Sequence, residues 1–271
     1  MSPKAAEAVL DRVAAAGDRP IGLAEAALAL AALERPARDL APHRAHLAEM
    51  AAAVADAALA QAPADALAAT LAGRFGYTGD DATYDDLTNA DLAAVIERRR
   101  GLPVALGILY CEAARAQGWR AVGLNFPAHF LIRIEAGGTP VVLDPFHGGV
   151  ALSAADLRAL LRRMGAGQEL LPEHHAAVPD RHILLRLQNN IKLRRLKSGD
   201  SDGALKTLGL MRRMAPERVD LAREEAGILV QLGALRGAAD TLRIWLAAGH
   251  GDPVERREIE ALLTAIGTRM N

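Results

Sequence analysis

The chain is short of cysteine, aromatic residues and any excess of charge. Its single cysteine, Cys111, excludes an internal disulfide and fits a reducing compartment. Aromatic residues make up only 3% of the 271 positions, against 51% hydrophobic residues overall. With alanine abundant, the core must be built largely by aliphatic helix packing. Lys plus Arg is 32 and Asp plus Glu is 33, a formal net charge of -1, so no global field draws nucleic acid or an anionic membrane surface. No uncharged run reaches the ~20 residues of a membrane span. The opening MSPKAAEAVLDRV carries acids and lacks the apolar core of a signal peptide. These absences lead us to expect a soluble cytoplasmic protein with no membrane or nucleic-acid role.

The first 75 residues read as an all-helical layer. Ser2 is placed to cap a helix that Gly17 closes. Leu23 to Leu33, nearly all Ala and Leu, reads as a buried helix. Leu40 to Ala60 places Leu47, Met50, Val54 and Ala58 at helical spacing, and Ala64 to Arg74 follows Pro63. The stretch from Phe75 to Asn89 is rich in Gly, Asp, Thr and Tyr and reads as an ordered loop with a surface acidic run. Its spacing is not that of a calcium loop. Asn89 is placed to cap a helix from Ala90 to Arg99. The run Arg98-Arg99-Arg100 reads as a solvated helix end, since no phosphate-binding loop accompanies it.

The centre of the chain runs from Glu97 to Gly149. Gly101-Leu102-Pro103 is a turn feeding a helix, with proline at the first helical position, where its missing N–H costs nothing. From Val104 to Cys111 there is no charge, so this helix is expected to be buried, and Gly118 ends it. Arg120 to Phe126, Phe130 to Ile134 and Thr139 to Leu143 read as three antiparallel strands, with Gly137-Gly138 turning between the last two. That hairpin sets His129 and Asp144 at matching ends of neighbouring strands. A carboxylate beside an imidazole fixes its tautomer and raises its basicity, half of a nucleophile–base–orienter set. His147 adjoins the same turn, but His129, Asp144 and His147 match no metal-ligand spacing, so neither a metal nor any other cofactor is assigned.

Beyond Gly149, Ser153 caps a helix from Ala154 to Arg163. Gly165 to Pro179 reads as a loop and a domain boundary, with His174-His175 facing solvent. Arg181 to Leu196 reads as an amphipathic helix with a basic rim. Gly203-Ala204 and Gly237-Ala238 lie 34 residues apart, as do Thr207 and Thr241, and Leu208 and Leu242. That is the tetratricopeptide period.

These residues carry a resemblance. Gly101, Arg115, Gly118, His129 and Asp144-Pro145 match the frame of the transglutaminase-like, papain-type fold. More closely, the chain is similar to SirB-type bacterial proteins, a transglutaminase-like domain with a tetratricopeptide tail. The matching residues are Gly76-Tyr77-x-Gly79, Tyr84, Asn89, Glu97 to Pro103, Leu109-Tyr110, Asn125-Phe126-Pro127-x-His129-Phe130 and Asp144-Pro145-Phe146-x-Gly148-Gly149. The resemblance implies an α+β fold: a helical N-terminal layer (residues 1–75), a transglutaminase-like core with a small antiparallel sheet (76–178), and a helical linker with a tetratricopeptide-like tail (179–271). It gives His129 and Asp144 the histidine and aspartate positions, with Tyr84, Asn89, Pro103, Tyr110, Asn125 and His147 as pocket candidates.

The position matching the family's nucleophilic cysteine is Pro103, which has no thiol, hydroxyl or N–H. Cys111 lies eight residues on, roughly 12 Å along a helix at ~1.5 Å per residue. Thiol cleavage or transamidation is thus disfavoured. The expectation is a non-catalytic binding or regulatory protein with a protein or peptide partner on its tail. An enzyme using His129 as general base oriented by Asp144, and a pure tail-based adaptor, stay open.

Overall fold

The computed structural model describes residues 1–127, 129–165 and 169–270. It is mostly helical, with a small sheet, and divides into two compact units, residues 1–187 and 188–271.

The first unit opens with α1 (Pro3–Ala16), α2 (Leu23–Glu34), α3 (Ala41–Ala58) and α4 (Pro63–Ala68), the last continuing as a π-helical turn from Ala69 to Arg74. Ser2 caps α1 by accepting from the Ala5 N–H at 3.2 Å. Nine of the twelve α2 residues are buried, as a sequence that is Ala and Leu apart from Glu25 and Glu34 demands. The loop that follows contains β1 (Thr78–Gly79), and then come α5 (Leu92–Arg98) and β2 (Arg100–Gly101), which pairs in parallel with β1.

Three expectations for this region are corrected. The N-cap of α5 is Asp91, which accepts from Ala94 N–H at 3.1 Å. Asn89 instead lies fully buried in a 3-10 turn, donating from Nδ2 to the Thr83 carbonyl. Asp80 does not belong to a surface acidic run, being only 2% exposed. It accepts from Thr83 N–H, Thr83 Oγ1 and Arg98 Nη2. Nor is Arg99 a solvated helix end: Arg98, in the last turn of α5, is exposed as expected while also donating to Asn89 Oδ1, but Arg99 reaches Tyr77 Oη and His46 with its guanidinium over the Tyr77 ring. Composition suggests solvent for these charges, whereas their mutual pairing allows them to fasten the loop.

Helix α6 (Pro103–Arg115) starts at Pro103 and is buried along nearly its whole length. It lies on one face of a five-stranded antiparallel sheet, of order β6-β5-β4-β3-β7. Strands β3 (Arg120–Leu124), β4 (Ile132–Glu135) and β5 (Val141–Asp144) form the expected meander, with Ile132 opposite Leu143 and Ile134 opposite Val141. Gly107 of α6 has no room for a side chain because the Phe130 ring fills it: a Cβ there would stand 2.3 Å from Phe130 Cε1. Leu131 faces the other way, onto Leu157, Leu160 and Leu161 of α7 (Ala154–Arg163), which Ser153 caps as expected, in a capping box with Asp156.

The sheet gains two outer strands with no sequence signal, β6 (Val150–Leu152) and β7 (Ala177–Val178). Of the expected Gly165-to-Pro179 loop, residues 166–168 lie outside the described residues, and the remainder is more ordered than expected. It holds a 3-10 turn at Pro172–His175 and strand β7, paired with β3. His174 is buried rather than solvent-facing: its ring lies edge-on to Phe126, and its Nδ1 accepts from Leu171 N–H.

Helix α8 (Asp180–Lys197) begins in the first unit and ends in the second. Its expected basic rim is partly interior. Arg181 and Lys192 are buried, Lys192 pairing with Glu224. The second unit continues with α9 (Ser201–Met214), α10 (Val219–Gln231), α11 (Leu235–Ala247) and α12 (Pro253–Met270), each packed on the next. The starts of α9 and α11 are 34 positions apart, as are those of α10 and α12. Ala204 and Leu208 are fully buried, and so are their counterparts Ala238 and Leu242. Trp245 anchors the core, donating from Nε1 to the Glu217 carbonyl. Among the described residues, no helix is long and apolar enough to cross a membrane.

Candidate functional site

The site is built where β5 ends. Asp144 is the last residue of the strand, and Pro145–His147 form a 3-10 turn directly after it, closed by Gly148 and Gly149 at φ +73° and +76°. Asp144 is 3% exposed. Its Oδ1 accepts from the Phe146 and His147 backbone N–H groups at 3.0 and 3.4 Å, and its carbonyl accepts from Gly149 N–H at 2.8 Å. This is how a short acidic side chain holds a turn in shape. The other oxygen, Oδ2, faces two imidazoles: His129 Nε2 at 2.9 Å and His147 Nδ1 at 2.8 Å.

Burial works against the Asp144 carboxylate, but the hydrogen bond and charge of His129, and then those of His147, outweigh it and hold its pKa below the usual carboxylate value. An ionised carboxylate only accepts, so both facing ring nitrogens carry protons. Nδ1 of His129 is then the ring nitrogen turned away from Asp144, the arrangement of a base and its orienter. His129 itself is buried, in a bend before β4, and its carbonyl accepts from Arg186 Nη2 of α8 at 2.7 Å. The Arg186 guanidinium also lies 5.5 Å from the Phe130 ring centroid. In sequence, Arg186 is one cation of the basic rim expected for Arg181 to Leu196, and its contact with the histidine segment has no local signal.

Phe146 forms one wall. Its ring is edge-on to His129, His147 and Tyr84, at centroid distances of 6.3, 5.3 and 6.1 Å. It covers Gly79 so closely that a Cβ there would meet three ring carbons at 2.5 to 2.6 Å. Because β1 pairs with β2, which leads into α6, this contact ties the turn to the strand pair that precedes Pro103.

Of the pocket candidates, the structure gathers His147, half-exposed at the turn, and Tyr84, exposed on the Phe146 ring. Tyr110 lies fully buried with its ring against Gly149. Its hydroxyl has no hydrogen-bond partner among the described residues, and burial, then the nearby Asp144 charge, raise its pKa. Pro103 is buried at the first position of α6. Asn89 is spent on internal bonds, and Asn125 has an exposed side chain while its backbone N–H donates to the Ala176 carbonyl.

Cys111 is not brought to the imidazole. It is fully buried among Arg115, Asp180 and Glu112, and burial pushes its thiol up to about 12, against a smaller lowering by Arg115. Arg115 is itself committed, bonding Asp180 at 2.7 Å through each terminal nitrogen and the Ala121 carbonyl through Nε and Nη2.

A family model described as the transglutaminase-like superfamily matches residues 41–189, which contain all of these side chains. A UPF0162 protein of Xylella fastidiosa is 31% identical over 179 residues, 64% of this chain and 63% of that protein, so the match spans just under two thirds of that relative's length. A UPF0162 protein of Pseudomonas aeruginosa is 31% identical over 237 residues, 86% of this chain and 84% of its own length. F-box only protein 21 of Homo sapiens is 26% identical over 184 residues, 62% of this chain but 28% of that protein. No solved structure matches. With more than half its length in the family model and 84% of a UPF0162 relative aligned with it, the chain belongs to the transglutaminase-like superfamily and, within it, to the UPF0162 proteins.

Proposed function

We propose that this chain is a binding and regulatory protein of SirB type, on a transglutaminase-like scaffold that does no thiol chemistry. One observation carries the reading: the base and its orienter are assembled, with His129 Nε2 2.9 Å from Asp144 Oδ2, while the position matching the nucleophile is a proline. Cysteine at a helix N-terminus is activated by the helix dipole and free N–H groups. Pro103 supplies no group to activate, and the thiol of Cys111 is buried and held protonated. The cluster of His129, Asp144, His147 and Phe146 then serves to hold a ligand.

The second unit is the protein-docking part in this reading. The 34-residue offset of both helix pairs and the matched burial at Ala204/Ala238 and Leu208/Leu242 support a tetratricopeptide-like tail. Alignment with little more than a quarter of F-box only protein 21 supports use of this scaffold as a module joined to other segments.

A second reading, hydrolysis or group transfer with His129 as general base, is favoured by Asp144 setting the imidazole tautomer. The two are separated by pairing Asp144→Asn with a truncation beyond Gly203, in affinity capture from native cytosol and in hydrolase and transferase assays. A binding protein loses partners on truncation and keeps them in Asp144→Asn. An activity present in the wild type and abolished by Asp144→Asn would establish the enzyme instead.

A further inference from the structure

Two histidines and one aspartate converge on a single point in the first unit. His129 Nε2, Asp144 Oδ2 and His147 Nδ1 all lie within 4.8 Å of one another. Their sequence spacing matches no metal-ligand signature, because His129 and Asp144 meet across the β4–β5 hairpin while the 3-10 turn swings His147 back over the strand end. We propose that these three atoms together bind one divalent transition ion of the zinc class. The inference rests on the reading of this cluster as one that binds a ligand.

The donor set selects the ion. Two imidazole nitrogens and one carboxylate oxygen suit Zn²⁺ and its borderline neighbours, while Mg²⁺ and Ca²⁺ favour oxygen-only shells. The geometry is close to what such an ion needs. With metal–ligand distances of ~2.0–2.2 Å and tetrahedral angles, donor atoms stand ~3.3 Å apart. The present N···O separations of 2.9 and 2.8 Å have to open by about 0.5 Å, while the N···N separation, within 4.8 Å, settles toward the same ~3.3 Å.

The surroundings already orient the ligands. Asp144 Oδ1 is fixed by two backbone N–H groups, so Oδ2 stays directed at both rings. The backbone of His129 is held by Arg186, and Phe146 stands edge-on to both imidazoles as an apolar wall. Binding requires each ring to move its proton to the opposite nitrogen. For His147 that nitrogen belongs to a side chain 52% exposed, so water takes the bond. Three protein ligands and an exposed side leave a coordination position open, as in zinc sites that bind a further ligand.

The test is titration of tag-free, chelator-stripped full-length protein with Co²⁺, followed by displacement with Zn²⁺. The expected result is one equivalent bound, with the intense visible bands of a low-coordinate cobalt site, and Zn²⁺-induced shifts of the His129 and His147 imidazole ¹⁵N signals. His147→Ala removes one ligand and leaves the backbone contacts of the turn in place. It is expected to weaken binding by about tenfold or more, since loss of even an outer supporting residue costs that much. His175→Ala is the control and is expected to bind as wild type. Wild-type protein that takes up no stoichiometric metal would overturn the proposal. So would imidazole signals of His129 and His147 that do not move, or a folded His147→Ala protein that binds undiminished; the imidazole readout needs no variant. Failure here leaves the tail-truncation result standing, and failure of that result leaves metal uptake standing.

Discussion

Gly148 and Gly149 are a paired experiment built into the turn that carries the site. Both have left-handed backbone, at φ +73° and +76°, so alanine at either position incurs the same conformational cost, ~1–2 kcal/mol. Their neighbours differ. A Cβ at Gly148 would stand 3.5 Å from the Ala72 Cβ, an ordinary contact. A Cβ at Gly149 would stand 2.6 Å from Tyr110 Cε1 and 2.7 Å from its hydroxyl, and Tyr110 is fully buried. Overpacking of this kind adds ~1–3 kcal/mol. Gly149→Ala is therefore expected to destabilise by about 2–5 kcal/mol and Gly148→Ala by about 1–2 kcal/mol. Equilibrium denaturant unfolding of both single variants measures the difference. Repeating Gly149→Ala in a Tyr110→Ala background then isolates the clash, and the cost there is expected to fall to that of Gly148→Ala. Equal costs for the two single variants, or no coupling to Tyr110, would refute the packing account of this turn.

Two further outcomes follow from the buried ionisable groups. Asp80 has its pKa lowered to about 2, first by the Thr83 hydroxyl and backbone bonds and then, against burial, by Arg98 and Asn89. Its folded value lies below its unfolded one, so its contribution, about 2 kcal/mol, is complete above pH ~4 and is lost as pH falls toward 2. Asp80→Asn is expected to remove that contribution and flatten stability over the same window, read from denaturation midpoints at several pH values. Cys111, buried with its thiol pushed up to about 12, is expected to resist iodoacetamide at pH 8 in the folded chain and to react once unfolded. Mass spectrometry of the labelled chain decides this, and rapid labelling of folded protein would contradict the burial.

Much of the scaffold is legible in the sequence because its signals are local. Gly101-Leu102-Pro103 and the uncharged run after it mark α6; the Gly137-Gly138 turn fixes the hairpin; Ser153 and Asp156 announce their capping box; and the 34-residue period marks the last four helices. What escapes is decided over distance. Strands β1, β2, β6 and β7 are two or three residues long, too short for any periodicity to register. Asp80 is interior because Arg98, eighteen positions away, meets it there. His174 is interior because Phe126 accepts its edge. The His129–Asp144 pairing follows from strand register, but the return of His147 depends on a 3-10 turn whose sequence, Pro-Phe-His, does not distinguish it from an outward bend.

Asp144 has two employments that cannot be separated. The carboxylate that steers His129 through Oδ2 also fastens the turn through Oδ1, so its removal loosens the end of β5 whether or not the imidazole has any task. In the reading proposed above, a scaffold without its sulfur nucleophile gains nothing by discarding the aspartate, because the turn still needs Oδ1. Persistence of a histidine–aspartate pair on this scaffold is accordingly no witness to turnover. It preserves a ready-made coordination corner that later chemistry can occupy.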